Sequence, residues 1–308
     1  MNVLNFGSLN IDHTYQLDHF PTPGETVSAK AYSIFCGGKG LNQSIALKNS
    51  GISVFHAGQI GEDGKDLVRF LQEKGVDTRY ISQKTGPTGH ALIQVDHNGQ
   101  NCITIYKGAN EQIDSSWAKQ VLRQFESGDF LLLQNEINNL ETIIREAHDR
   151  GMIIFLNPAP FTPEFHSLPL NLIDYLIVNE IEAAELSGTN NIQEMIRFFH
   201  SSYSDKHVII TLGKYGSYYL HKEKIDVINN VQKGIYEVPV CDTTTAGDTF
   251  IGFFVGETVK GNTPDQALKI AAKASAITVS RIGASISIPT IDEVVKTVLP
   301  YREVQHES

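Results

Sequence analysis

The chain has 308 residues, 41% of them hydrophobic, and a formal net charge of −10. That length can bury a substantial core in one large α/β domain or two modest ones. An acidic chain without long basic runs argues against nucleic acid or an anionic membrane as its main partner. Any phosphate it binds must be held locally, by main-chain amides and a few cations. Cys36, Cys102 and Cys241 lie far apart, without metal-ligand spacing or a disulfide framework, which suits a reducing cytosol. The first residues carry no secretory signal, and no segment is apolar for long enough to span a bilayer.

In chain order, Val3–Phe6 reads as the first buried strand. A β segment follows over 13–35, pairing Thr14–Leu17 with Thr26–Ile34. The glycine cluster Gly37-Gly38-Lys39-Gly40 then feeds a helix over Asn42–Asn49. Its glycines let the backbone approach a ligand, and Lys39 adds a cation. It is not a Walker A loop, because Leu41 stands where Ser or Thr should follow the Gly-Lys pair; a tight turn entering a helix explains it equally well. Val54–Ala57 reads as a strand and Lys65–Lys74 as a helix. A second β segment over 89–107 pairs Ala91–Val95 with Cys102–Tyr106 across the hairpin turn Asp96-His97-Asn98-Gly99.

Strands at Phe130–Leu133, Ile153–Leu156, Tyr175–Val178 and Val208–Ile210 alternate with helices at Ser115–Phe125, Leu140–Arg150 and Asn191–Phe199. Two helices in succession close the chain, the second opened by Thr263-Pro264 and running toward Ser280. This alternation predicts an α/β fold: a mostly parallel sheet with helices on both faces. The core is expected over 1–12, 36–88 and 108–303. A small β-sheet lid is expected from 13–35 and 89–107, and a loose tail at 304–308.

Polar residues fall where the apolar runs end. The exits are Gly7-Ser8-Leu9-Asn10-Ile11-Asp12, Gln134-Asn135-Glu136, Asn157-Pro158, Asn179-Glu180-Ile181-Glu182 and Thr211-Leu212-Gly213. In a parallel sheet these exits share one edge, where ligands bind. Asn10, Asp12, Asn42 and Glu136 offer the paired donors and acceptors that vicinal hydroxyls require, so they suit a sugar. Glu182 suits Mg²⁺ held through water. Gly213-Lys214-Tyr215-Gly216 is a strand-to-strand turn that can border a nucleotide.

The densest motif is Asp242-Thr243-Thr244-Thr245-Ala246-Gly247-Asp248, ahead of the apolar run Phe250–Val255. Free N–H groups at such a helix start form an anion site. A carboxylate beside it, Asp248, fits a general base that prepares a hydroxyl for attack on a phosphoryl group. A plain helix cap is the other reading.

These blocks, in this order, resemble the ribokinase-like (PfkB-type) carbohydrate kinases over nearly the whole chain. The matching segments include Gly7–His13, Phe20–Thr26, Gly37–Gln43, Gly108–Asn110, Asn157–Pro160, Asn179–Ala183, Thr211–Gly213, Asp242–Phe250 and Arg281–Ala284. The resemblance implies a three-layer α/β/α sandwich with a β lid. It also implies ATP-dependent phosphorylation of a primary sugar hydroxyl, for ribose the one on C5. On matching positions, Asp248 is the expected base, and the amides of Thr245, Ala246 and Gly247 are the anion hole. Asn10, Asp12, Gly38, Lys39, Asn42 and Glu136 are the expected sugar contacts. Asn179, Thr211, Gly213, Lys214, Gly216 and Gly247 are the expected nucleotide contacts. Glu182 lies in the family's Mg²⁺-associated Asn-x-x-Glu motif. Asp242, Thr244, Thr278, Arg281, Gly283 and Ser287 match a monovalent-cation loop, usually for K⁺, and homodimers through the lid are common. One departure is Thr245, at the first position of the family's Gly-Ala-Gly-Asp pattern. Another is Asn135, in place of a more usual apolar residue.

Overall fold

A computed structural model of the protein describes residues 1–224 and 227–303; the expected tail at 304–308 lies outside the described residues. The chain begins with β1 (Val3–Phe6), β2 (Asn10–Gln16), β3 (Ala31–Gly37), α1 (Lys39–Asn49), β4 (Val54–Ile60), α2 (Lys65–Glu73) and β5 (Asp77–Gln83). Next come β6 (Gly89–Val95), β7 (Asn101–Tyr106), α3 (Ser115–Leu122), β8 (Phe130–Gln134), α4 (Leu140–Asp149), β9 (Ile153–Asn157), β10 (Tyr175–Asn179), α5 (Glu180–Ser187) and α6 (Ile192–Ser202). The last elements are β11 (His207–Thr211), β12 (Ser217–Lys224), β13 (Val227–Lys233), β14 (Ile235–Tyr236), α7 (Ala246–Val259), α8 (Pro264–Val279), α9 (Ile291–Lys296) and β15 (Tyr301–Arg302).

The main sheet has nine strands in the order β13-β12-β11-β10-β9-β8-β1-β4-β5. From β11 through β5 every pairing is parallel, and β12 pairs antiparallel on both its edges. Strands buried on both faces need apolar residues at every position, hence the continuous runs. Their alternation sorts the core into two layers. Leu4, Phe6, Leu131, Leu133, Ile154 and Leu156 pack under α3, α4, α5 and α6. Val3, Val54, Phe130, Leu132 and Phe155 pack under α1, α2, α7 and α8. The three-layer α/β/α architecture is therefore as expected, with all five polar exits on one sheet edge.

The lid differs in register. The two β segments do join in one small four-stranded sheet, in the order β3-β2-β6-β7. The strand expected at Thr26–Ile34 instead occupies Ala31–Gly37, and it pairs with the whole of β2, from Asn10↔Gly37 to Gln16↔Ala31. The intervening 17–30 is loop, consistent with Pro21 and Pro23, which have no N–H to give a ladder. Because β2 begins at Asn10, the expected boundaries at 12/13 and 35/36 cut through strands, and Asn10 and Asp12 belong to the lid. The hairpin turn is as read: Gly99 has φ 77° and donates to the Asp96 carbonyl at 3.0 Å.

The glycine cluster also resolves differently. Helix α1 starts at Lys39, three residues before the expected Asn42, with Gly38 as its cap at φ 92°. A Cβ on Gly40 would lie 2.3 Å from the Ser8 nitrogen, so the first turn of α1 sits directly on the loop leaving β1. Farther along, a Cβ on Gly252 of α7 would lie 2.3 Å from the Cβ of Ala46. Glycine at that crossing lets α7 seat against α1. Gly252→Val should therefore lower stability by about 1–3 kcal/mol through overpacking, read as a fall in the urea midpoint; an unchanged midpoint would show that the two helices are not in tight contact.

Candidate active site

Two helix starts face each other across the edge of the sheet. Helix α1 brings Asn42 and Gln43; helix α7 brings Asp248. Asn42 Nδ2 donates to Asp248 Oδ2 at 3.0 Å, and Gln43 Nε2 donates to Asp248 Oδ1 at 2.9 Å. Both carboxylate oxygens are thus held from one side, in a buried setting. Around them a cleft of about 220 Å³ is lined by Lys39, Asn157, Asn179, Glu182, Thr211, Thr243, Thr245, Gly247 and Asp248, among others.

The lid side is built by mutual support. Asp12 lies against Gly37, where a Cβ would come within 1.9 Å of its Oδ2. Asn10 Oδ1 accepts from Asn110 Nδ2 at 2.8 Å, and Asn110 Oδ1 accepts from the Leu9 N–H at 3.0 Å. Glu136 Oε2 accepts from the Lys39 N–H at 3.0 Å and from the Ser8 hydroxyl. Glu136 therefore caps α1, a task the sequence did not signal. Asn135, the departure from the family pattern, turns away: its Nδ2 donates to the Pro160 carbonyl at 2.7 Å.

The electrostatics are unusual for a phosphate site. Asp12, Glu136, Glu182 and Asp248 all act on Lys39 or on one another. Burial pushes Asp12 up to about 7, helped by the charges of Glu136 and then Asp248. Burial also raises Glu136, against the opposing pull of Lys39 and its two hydrogen bonds. Burial alone would lower Lys39, but Asp248, Glu136 and Glu182 outweigh it and hold the ammonium above its ordinary range. One cation lies among four acidic side chains, so a polyphosphate entering the cleft needs further positive charge to balance its own.

Helix α7 supplies part of that compensation. It starts at Ala246 after Thr245, whose φ is 61°. A β-branched residue in the left-handed region costs roughly 1–3 kcal/mol. The Thr245 hydroxyl reaches the Thr244 carbonyl at 2.6 Å and the Ala284 carbonyl at 3.2 Å, which holds the turn. Ala246 N–H is partly engaged by the Thr243 carbonyl at 3.3 Å. A Cβ on Gly247 would meet nothing within 4 Å, and Gly247 lines the cleft.

At the exit of β10, Asn179 caps α5 in a capping box with Glu182. The two Glu182 oxygens accept from the Asn179 main chain at 3.0 Å and from Asn179 Nδ2 at 2.9 Å; burial raises its pKa, against the hydrogen bond from Asn179 and the charge of Lys39. Thr211 lines the cleft. Gly213, Lys214 and Gly216 form the turn into β12, directly after Thr211, with Lys214 Nζ 5.2 Å above the Tyr215 ring.

The expected cation-loop residues come together as two joined segments. Asp242 Oδ1 accepts from Thr244 N–H at 2.9 Å, and its Oδ2 accepts from Gly283 N–H at 3.2 Å. The Ser287 hydroxyl donates to the Ala284 carbonyl at 2.7 Å. Thr278 is buried, its hydroxyl bonded to Thr249 and to the Ala274 carbonyl. Arg281 pairs with Glu293. Its guanidinium is thus committed elsewhere, and only its main chain is available to a cation.

The chain matches the family model described as pfkB family carbohydrate kinase over residues 2–291. The protein belongs to the pfkB family of carbohydrate kinases. It is a phosphotransferase acting on a sugar hydroxyl. Ribokinase of Haemophilus influenzae is 36% identical over 296 residues, spanning 93% of this chain and 95% of the relative. Among solved structures, Arabidopsis thaliana ribokinase complexed with ribose and ATP has a TM-score of 0.84 at 29% identity, covering 96% of this chain and 97% of that one. Cryptococcus neoformans ribokinase in complex with ADP also has a TM-score of 0.84, at 30% identity, covering 96% and 99%.

Asp12 gives this family site a testable titration. A protonated carboxyl presents a donor on one oxygen and so cannot accept a sugar hydroxyl freely at both, whereas the carboxylate can. Sugar binding should therefore favour the ionised form and release a proton near neutral pH. With Asp12 at about 7 in the free protein, sugar affinity should be about tenfold weaker at pH 6 than above pH 8. Calorimetry in buffers of different ionisation enthalpy should register the released proton, and Asp12→Asn should abolish the trend. A flat affinity profile in the unmodified protein would remove Asp12 from sugar contact.

Proposed function

We propose that this protein transfers the γ-phosphate of ATP to the C5 hydroxyl of D-ribose, giving ribose 5-phosphate. The observation that carries this reading is Asp248: a carboxylate gripped at both oxygens, at the start of α7, between the lid residues and the nucleotide side of one cleft. Asn10, Asp12, Gly38, Lys39, Asn42 and Glu136 hold the sugar from the lid and α1 sides. The buried Asn42 Oδ1 has no protein partner, which suits it to a sugar hydroxyl. Asp248 takes the proton from the attacking hydroxyl. The amides of Thr245, Ala246 and Gly247 receive the charge on the transferring group, helped by the helix terminus. Phosphoryl transfer needs little covalent help from the protein, so alignment and charge stabilisation supply most of the rate. Asn179, Thr211 and the turn Gly213–Gly216 flank the nucleotide.

Magnesium fits as a companion of the nucleotide. Among the described residues, no group of three His, Cys, Asp or Glu side chains is placed to cage a metal. Glu182, with both oxygens already bonded to Asn179, is suited to reach such an ion through water. When bound, Mg²⁺ neutralises phosphate charge in a cleft that already holds four carboxylates. A monovalent cation such as K⁺ fits the loop of Asp242, Thr244, Thr278, Arg281, Gly283 and Ser287. There the Asp242 carboxylate and main-chain oxygens would hold it, beside the strained turn at Thr245.

The lid exposes Tyr32, Ile34, Phe35, Ile103, Ile105 and Tyr106. Such an apolar surface on a small sheet favours a partner, and a second copy meeting it lid to lid gives the homodimer. A cytosolic setting agrees with three free cysteines and no helix, among the described residues, long and apolar enough to cross a membrane.

The test is ATP consumption with and without D-ribose, with 2-deoxyribose, fructose and adenosine as competitors for the assignment. Ribose should give the highest kcat/KM. Asp248→Asn should lose about 10²–10⁴-fold in kcat with calorimetric ribose affinity nearly unchanged. Near-normal turnover in that variant would remove Asp248 as base. For the dimer, Ile103→Lys should convert a dimeric species to monomer in light scattering; a monomeric unmodified protein would refute lid pairing.

A further inference from the structure

Behind Asp248 runs a line of buried polar side chains. Asn5, Gln43, Ser44, His56 and Gln134 are all fully buried between the sheet and α1. Asn5 and His56 are register partners on β1 and β4, and Gln134 and Asn157 are partners on β8 and β9. The hydrogen bonds among them are continuous. Ser44 Oγ bonds His56 Nδ1 at 2.7 Å, and Asn5 Nδ2 donates to Ser44 Oγ at 2.8 Å and to the Gly40 carbonyl at 2.7 Å. Gln134 Nε2 donates to Asn5 Oδ1 at 2.9 Å and to Gln43 Oε1 at 2.7 Å. Gln43 Nε2 then donates to Asp248 Oδ1 at 2.9 Å and faces Asn157 Oδ1 at 3.4 Å.

The chain of donors has one consistent direction. Burial lowers His56 to about 3, so its ring is neutral, and Nδ1 can accept the Ser44 proton. Ser44, having given its proton, must accept from Asn5. The amide of Asn5 is thereby oriented with its oxygen toward Gln134. Both Gln134 amide hydrogens are then used, one on Asn5 and one on Gln43. Gln43 must present its oxygen to Gln134 and its NH₂ to Asp248. The reverse orientation of Gln43 would set an amide oxygen against the carboxylate and leave buried donors facing each other, at roughly 1–3 kcal/mol for each unpaired group.

We propose that Gln43 is a positioning residue for phosphoryl transfer: its carboxamide, oriented by the buried Gln134–Asn5–Ser44–His56 line, fixes the angle of the Asp248 carboxylate. This rests on Asp248 acting as the base. Gln43 is fully buried, with its carboxamide taken up by Asp248 and Gln134, so it acts through Asp248 and not on the sugar. Its partner at the other oxygen, Asn42, borders the sugar and cannot be altered without touching binding. Gln43 can.

The experiment is a double-mutant cycle on the full chain, with D-ribose, ATP, Mg²⁺ and K⁺. Gln43→Met keeps length and removes all three carboxamide hydrogen bonds, to Asp248, Asn157 and Gln134. It should lower kcat about 10–100-fold, the scale of a small misplacement. Ribose affinity, measured by calorimetry without ATP, should stay within about twofold, and in the Asp248→Asn background the same change should cost less than about twofold. An equal loss in both backgrounds, or an unchanged kcat, overturns the inference. If Gln43→Met fails to fold by circular dichroism, Gln134→Met carries the test. It leaves Gln43 in place but unoriented, and should lower kcat about 3–10-fold only while Asp248 is present; no loss, or a loss independent of Asp248, overturns it. Failure of the base reading is separate, because it shows as near-normal turnover in Asp248→Asn alone.

Discussion

The seating of α7 on α1 is the contact on which the rest of the site depends. Gly252 faces Ala46 at a distance that leaves no room for a side chain. Nearer the sheet edge, that contact sets Asp248 against Asn42 and Gln43. A carboxylate buried at a helix N-terminus is affordable only if hydrogen bonds replace its lost water. Two amides from the neighbouring helix do so. The geometry proposed for proton transfer and the packing of two central helices are therefore one arrangement.

Charge organises what lies outside that contact. The site gathers Asp248, Glu136 and Glu182 around Lys39, and Asp12 feels the charges of Glu136 and Asp248. Without ligands, part of this burden is relieved by protonation, most clearly at Asp12. With ligands, sugar hydroxyls and phosphate-borne cations can take over. A site arranged this way favours both substrates together over ATP alone, which is useful where water is the competing phosphoryl acceptor.

Much of this was legible in the sequence, for identifiable reasons. Strands such as Phe130–Leu133 and Tyr175–Val178 are buried on both faces, so their apolar runs stand out. Their polar exits marked the binding edge, and Asp248 stood inside a recognisable helix start. The lid strand Ala31–Gly37 was misplaced because its bounds are set by pairing with Asn10–Gln16 and not by its own composition. The sequence places the start of α1 late because Gly38 and Gly40, poor helix formers, stand there for the turn and for the approach to Ser8. The buried polar line was missed altogether. Its only signal was Asn5 and His56 interrupting apolar strands, and nothing local says that Gln134 and Gln43 complete it.

The most direct measurement is a crystal structure of the protein with D-ribose and a non-hydrolysable ATP analogue. The account predicts the ribose C5 oxygen within about 2.6–3.2 Å of an Asp248 oxygen, with the terminal phosphate over Gly247 and the ring hydroxyls on Asp12 and Asn42. A sugar bound away from Asp248, or a terminal phosphate remote from the start of α7, would contradict it.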